Sequence, residues 1–213
     1  MKYKGIIFDL DGVICFTDKY HYLAWKKVAD KIGAYFDEEI NNRLRGVSRM
    51  ESLEIILERY NGTLTDEQKV ALATEKNEYY RDSLKNITPA DLNPDTLKAL
   101  QTLKADGHLL AVGSSSKNTP YILERLGLDK FFHAVVDGNC ITNSKPHPEV
   151  FLKAAQAIGL TPAECLVVED AAAGIEAASA GSFDSAAIGG DAVTREDKTY
   201  EIKQISDLID ITK

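Results

Sequence analysis

The sequence predicts an α/β fold, a doubly wound parallel sheet with an all-helical segment inserted after its first strand. Three observations carry this. Over the second half of the chain short apolar runs alternate with amphipathic stretches, the rhythm of parallel strands joined by right-handed helical crossovers. A further apolar run, Ile6-Ile7-Phe8, stands near the start. Between the two, residues 16–86 carry helical patterns and no convincing strand.

Taken in order, Ile6-Ile7-Phe8 leads into Asp9-Leu10-Asp11-Gly12-Val13. It reads as a buried strand, because a continuous apolar run bounded by turn residues suits a sheet covered on both faces. In residues 18–32, Trp25, Val28, Ala29 and Ile32 fall at i, i+3, i+4 and i+7, with Gly33 placed to end a helix. Helices are expected at 37–45 and 50–60, separated by Gly46-Val47-Ser48-Arg49. Thr65-Asp66-Glu67-Gln68 has the form of a capping box opening a long polar helix to about residue 85.

Beyond that point, Asn93-Pro94 starts a helix with Gly107 past its end. Strands are expected at 109–112, 134–136 and 166–168, with a last buried strand at 186–188. Helices fill 119–126, 148–158 and 171–180 between them. The expected organisation is a Rossmann-like core domain of residues 1–15 and 87–213, interrupted by a helical cap domain of residues 16–86.

Composition narrows the partners. A net charge of −8 argues against nucleic acid or an anionic membrane, since both need a basic face. Three cysteines without a C-x-x-C pair fit neither a disulfide scaffold nor a structural zinc site. With no signal peptide or long apolar span in sight, a cytoplasmic, monomeric protein acting on a small molecule is expected.

In open parallel sheets ligands bind beyond the carboxyl ends of the strands, so the residues that follow each apolar run are the candidates. The first run gives Asp9 and Asp11, and the second gives Ser114, Ser115, Ser116, Lys117 and Asn118. The third leads through a loop to Lys145, and the fourth gives Glu169 and Asp170. Four acids, a lysine and a hydroxyl cluster on one sheet edge suit Mg²⁺ and a phosphoryl group. No G-x-x-x-x-G-K-[ST] or G-x-G-x-x-G motif is present, and the four histidines show no paired metal spacing. The nucleophile is therefore sought among the carboxylates.

These motifs resemble those of the haloacid dehalogenase-like phosphotransferases: Asp9-Leu10-Asp11-Gly12, Ser114 after its strand, Lys145-Pro146, and Glu169-Asp170. The resemblance spans the whole chain. Tyr20-His21-Tyr22-Leu23-Ala24-Trp25, Leu44-Arg45-Gly46-Val47-Ser48-Arg49 and Ser144-Lys145-Pro146 are similar to the branch that isomerises hexose phosphates.

That resemblance implies interconversion of β-glucose 1-phosphate and glucose 6-phosphate through an aspartyl phosphate and β-glucose 1,6-bisphosphate. The alternative is a magnesium-dependent sugar-phosphate phosphatase. Asp9 would be the nucleophile and Asp11 the general acid and base. Mg²⁺ would be held by Asp9, the Asp11 backbone carbonyl, Glu169 and Asp170. Ser114 and Lys145 would hold the transferring phosphoryl group. Arg49, Ser116, Lys117 and Asn118 would grip the second phosphate, with Ser115 among the substrate-binding residues beside them. Thr17, His21, Trp25, Leu44, Arg45, Gly46, Val47, Ser48, Ser52 and Lys76 would shape the sugar site and the closure of the cap.

Some of these residues have plainer readings. Trp25 lies on an apolar stripe and suits core packing, and Lys76 lies on a polar helix, where lysines are commonly solvated. Four positions depart from the pattern of that branch: Phe16 where an acid precedes the threonine, Arg45 in place of lysine, and Gly113 and Ser115 where alanines are common. Arg45 keeps the charge of a lysine but not its hydrogen-bond geometry.

Overall fold

A computed structural model describes residues 1–213. Six strands form one sheet: β1 (Gly5–Phe8), β2 (Leu109–Gly113), β3 (Ala134–Val136), β4 (Cys165–Glu169), β5 (Asp184–Ile188) and β6 (Tyr200–Ile202). Their order is β3-β2-β1-β4-β5-β6, and every neighbouring pair is parallel. β1 lies centrally, where the order reverses direction, and that crevice is where open α/β sheets place ligands. The register fixes what meets there. Phe8 stands opposite Val112 on one side and Val168 on the other, so Asp9 leaves the sheet level with Gly113 and Glu169.

Alternating side chains serve the two faces. Ile6, Phe8, Leu110, Val112, Leu166 and Val168 pack on one face with α5 (Pro94–Ala105) and α6 (Thr119–Arg125). Ile7, Ala111 and Val167 pack on the other with α7 (Glu149–Ala157) and α8 (Ala172–Ala180). A short α9 (Leu208–Ile211) ends the chain's secondary structure. Covering both faces explains why these strands read as unbroken apolar runs.

Between β1 and β2 lie α1 (Asp18–Ile32), α2 (Glu38–Asn42), α3 (Arg49–Leu57) and α4 (Asp66–Leu84). They share a separate cluster of ten buried apolar residues, among them Trp25, Val28, Leu53, Ile56, Leu72 and Ala73. α1 ends as its sequence specifies, with Gly33 left-handed and its N–H bonded to Ala29 and Asp30. α4 opens with the Thr65–Gln68 capping box. Ala24 of α1 and Tyr80 and Leu84 near the end of α4 bury with the sheet's own cluster. No helix is long and apolar enough to cross a membrane.

Three local expectations need correction. The helix expected at 37–45 is only Glu38–Asn42, because the chain turns through residues 43–47 and Gly46 adopts φ 75°. The helix expected at 50–60 is Arg49–Leu57, started one residue earlier by Ser48 and Glu51 in a capping box. The strand at 186–188 is not the last, since β6 follows it on the sheet edge. Three residues with Glu201 exposed at the centre carry too weak a pattern to read in advance.

Candidate active site

Asp9, Glu169 and Asp170 converge where β1 and β4 end, with one carboxylate oxygen of each within 4.8 Å of the others. All three are buried. Lys145, fully buried, reaches between two of them, its Nζ 2.5 Å from Asp9 Oδ1 and 2.7 Å from Glu169 Oε2. The other oxygen of Glu169 accepts the backbone N–H groups of Asp170 and Ala171 at 3.0 and 3.1 Å. Close backbone approach makes the cluster possible. A Cβ on Gly12, whose φ is +86°, would stand 2.0 Å from Asp170 Oδ2.

One ammonium does not balance three acids. Burial pushes the Asp9 carboxyl up to about 8, with Lys145 opposing and the charge of Glu169 adding to the rise. Asp170 is pushed up to about 9, first by burial and then by Glu169 and Asp9, with Arg45 opposing. Burial works to lower the Lys145 pKa, but Asp9 and Glu169 outweigh it and hold the ammonium above its ordinary range. The cluster is thus short of positive charge, and hard oxygen donors of this kind could hold a divalent cation.

Asp11 stands apart from that cluster. Its Oδ1 accepts from the Thr17 hydroxyl, which in turn accepts from the Tyr80 hydroxyl at 3.0 Å. Burial pushes the Asp11 carboxyl up to about 6, with the Thr17 hydrogen bond opposing. A carboxyl that titrates there can both give and take a proton near neutrality.

A cavity of about 1070 Å³ opens between the carboxylates and the helical layer, lined by Asp9, Asp11 and Asp170 at its floor. From α1 and α4, Trp25, His21 and Lys76 line its wall. Lys76 is 3% exposed, with its Nζ 2.8 Å from His21 Nδ1 and over the rings of Trp25 and Tyr80 at 4.9 and 4.7 Å. Burial and then the charge of Arg49 lower the Lys76 pKa to about 7. Burial, Lys76 and Arg49 together push His21 well below its ordinary range.

The stretch Leu44, Arg45, Gly46, Val47, Ser48 and Arg49 forms a second wall, and the turn Ser114, Ser115, Ser116, Lys117 and Asn118 a third. Arg49 makes no ion pair, whereas Arg45 pairs with Asp18 and lies 3.3 Å from Asp170 Oδ2. Ser114 and Ser116 brace their own turn, accepting from the N–H groups of Ser116 and Asn118, both at 3.2 Å.

Most of the residues picked from sequence therefore meet around one cavity. Thr17 and Lys145 are 1% and 0% exposed and stand behind its surface rather than on it. Lys76 is not solvated as its polar helix implied. Trp25 is buried in the helical cluster, as core packing requires, and also borders the cavity. The Arg45 terminal nitrogens pair with Asp18 and Asp170 while its buried Nε has no partner, and the Asn118 amide donates to Asn77 Oδ1 at 2.9 Å. Tyr80 was missed, although it falls four residues after Lys76 and so shares its helix face.

Comparison with known proteins agrees with this geometry. The sequence profile of the haloacid dehalogenase-like hydrolases matches residues 3–181. A β-phosphoglucomutase of Bacillus subtilis (strain 168) is 45% identical over 184 residues, covering 84% of this chain and 81% of that protein. A fructose-1-phosphate phosphatase of Escherichia coli (strain K12) is 34% identical over 187 residues, covering 86% of this chain and 95% of that one. The crystal structure of a β-phosphoglucomutase from Clostridium difficile superimposes with a TM-score of 0.89 at 37% identity, covering 97% of this chain and 93% of that chain. With its aspartates, lysine and acidic pair gathered at the carboxyl ends of a parallel sheet, the chain belongs to the haloacid dehalogenase-like hydrolase family and is a phosphoryl-transfer enzyme.

Proposed function

We propose that this chain is a magnesium-dependent β-phosphoglucomutase, converting β-glucose 1-phosphate into glucose 6-phosphate through an aspartyl phosphate and β-glucose 1,6-bisphosphate. Residues 16–86 act as a cap over a core of residues 1–15 and 87–213. One observation supports the mutase over simpler hydrolysis: cations stand at two places around the cavity, one behind its floor and one on its walls. Lys145 stands at Asp9, while Arg49 and Lys117, neither in an ion pair, line the walls. Water as acceptor needs one phosphate site, whereas a bisphosphate that presents either end to Asp9 needs two.

Asp9 attacks phosphorus with the carboxylate that Lys145 orients through Oδ1, and the leaving sugar oxygen takes a proton from Asp11. In the return direction Asp11 removes the proton from the accepting hydroxyl, a role typically worth ~10²–10⁴-fold in rate. Tyr80 and Thr17 hold the Asp11 carboxyl in one orientation by their hydrogen-bonded chain. Ser114 and Lys145 bind the transferring phosphoryl group, and Arg49 with the 115–118 turn binds the other phosphate. His21, Trp25, Ser52 and Lys76 shape the sugar site. Closing this cavity over the sugar excludes water from the phosphoenzyme.

Asp9, Glu169 and Asp170, with the Asp11 backbone carbonyl, would hold the magnesium ion. Their shortage of positive charge supports that fit. When bound, the ion supplies Lewis-acid stabilisation of charge on the phosphoryl oxygens.

A second reading is a sugar-phosphate phosphatase using the same Asp9 and Asp11. The 34% identity to a fructose-1-phosphate phosphatase favours it, as does the engagement of Arg45 with two acids instead of the open sugar site. Incubation with each anomer of glucose 1-phosphate and Mg²⁺ separates the two. Glucose 6-phosphate from the β anomer is expected. Free phosphate with no glucose 6-phosphate would leave the phosphatase.

A further inference from the structure

Glu51 has no part in the assignments above, yet one of its oxygens joins the two halves of the site. Oε2 accepts the backbone N–H of Ser48 at 2.8 Å and, across the cleft, the hydroxyl of Ser144. Ser48 directly precedes Arg49, and Ser144 directly precedes Lys145. A single carboxylate oxygen therefore lies one residue along the chain from each of the two cations assigned to the two phosphates.

The two bonds have different local meanings. The bond to Ser48 is half of the capping box that starts α3, whose other half is Glu51 N–H to Ser48 Oγ at 3.3 Å. It fixes the Glu51 side chain relative to its own helix. The bond to Ser144 reaches from the helical layer to the loop before α7 and is charge-assisted, which makes it directional as well as strong. With one oxygen bonded both to the start of its own helix and across the cleft, this exposed side chain acts as a strut. On another wall, Asn118 Nδ2 donates to Asn77 Oδ1 at 2.9 Å, again beside two lysines, Lys117 and Lys76. The cap is thus pinned to the core at points that flank the phosphate-binding cations.

We infer that Glu51 is a positioning residue that fixes the span between the Arg49 and Lys145 phosphate sites, and so biases the phosphoryl group on Asp9 toward a sugar hydroxyl rather than water. The inference rests on the mutase reading. Transfer to the sugar needs the far phosphate held on Arg49 at a set distance from Asp9, because misplacement of an acceptor by an ångström is already severe in rate. Transfer to water needs only the Lys145 end. Losing the strut should therefore damage the first far more than the second.

The test is the ratio of glucose 6-phosphate formed to phosphate released, from β-glucose 1-phosphate with Mg²⁺ and catalytic β-glucose 1,6-bisphosphate. Glu51→Ala removes both bonds. Ser144→Ala removes only the bond across the cleft and leaves the α3 cap intact, so it separates positioning from helix stability. Both variants are expected to lower the ratio about ten-fold, the loss of one charge-assisted hydrogen bond felt in a single transition state. Glu51→Gln, which keeps a carbonyl acceptor, should recover most of it. The double variant should be no worse than Glu51→Ala alone, because both act through one bond.

An unchanged ratio in both single variants overturns the inference. So does a ratio that falls in Glu51→Ala but not in Ser144→Ala, since the carboxylate would then act through its helix. A wild-type enzyme that releases phosphate without making glucose 6-phosphate overturns the mutase reading itself, a result visible before any variant is made.

Discussion

The Lys145 ammonium lies 2.5 Å from Asp9 Oδ1 with no exposure to solvent, and the same nitrogen holds Glu169 at 2.7 Å. One cation thus holds the proposed nucleophile and a proposed metal ligand together. Lys145→Ala is expected to lower kcat/KM by at least ~10²–10³-fold, the scale of removing one electrostatic stabiliser of a transition state. It should also cost roughly 3–5 kcal/mol in urea unfolding without magnesium, because buried acids lose their partner. The pairing raises the Lys145 pKa, so its contribution is fully present below the ordinary 10.5 and fades only as pH rises through the folded value. A variant as stable as wild type at pH 8 would contradict this account.

Magnesium and pH should be linked through Asp9 and Asp170. In the metal-free fold these carboxyls keep protons to about 8 and about 9, against an ordinary value of 3.8. The native state then binds more protons than the unfolded chain between those limits, so both groups lower stability as pH rises through that window. Metal ligation needs them ionised. Apparent magnesium affinity is therefore expected to climb from pH 6 to pH 8, and binding to release protons. Titration calorimetry in two buffers of different ionisation enthalpy counts those protons, and a count of zero at pH 7 would refute the linkage.

Asp11 and Thr17 make a separable pair of predictions. Asp11→Asn should reduce turnover by ~10²–10⁴-fold, the range for a lost acid–base group. Thr17→Val is subtler. The Thr17 hydroxyl favours ionised Asp11 and holds down a carboxyl that burial has raised to about 6, so its loss should move the Asp11 limb of the kcat/KM profile to higher pH. A limb that stays in place, or moves to lower pH, would show that Thr17 does not tune Asp11.

How much of this was legible in sequence follows from locality. Asp9, Asp11, Glu169 and Asp170 end apolar runs, and parallel strands of that kind deliver their ends to one edge, so the acids could be assembled on paper. Lys145 does not end its run; it stands in the loop between β3 and α7, reached from the third run only through that loop, and its place in a family motif strengthened the choice. The partners of Arg45 were out of reach, because Asp170 lies 125 residues away and no local pattern pairs them. The same holds for Glu51 and Ser144, 93 residues apart. Tyr80 was reachable, since helix spacing puts it on the face of Lys76, but an aromatic on a long polar helix reads first as packing. Burial was the quantity hardest to foresee. Lys76 looked solvated because its helix is polar, and it is buried because that helix turns this one face to the cavity.

Lys76 therefore carries a prediction of its own, a trade of stability against function. Its pKa is lowered to about 7 from 10.5, chiefly by burial and then by Arg49. The unfolded chain binds the extra proton between those values, so this group's effect on stability becomes more favourable as pH rises from 7 toward 10.5, and most unfavourable below 7. Lys76→Met replaces a buried amine with an apolar side chain of similar length beside Trp25 and Tyr80. It is expected to raise stability by roughly 1–2 kcal/mol at pH 6, with the gain shrinking toward pH 10. The same variant should lose affinity for the phosphorylated sugar, because the cavity loses a cation. Thermal melts at the two pH values, with KM for β-glucose 1-phosphate, check both halves. A variant less stable than wild type at pH 6 would mean that the ring contacts and the His21 hydrogen bond outweigh the desolvation of the amine.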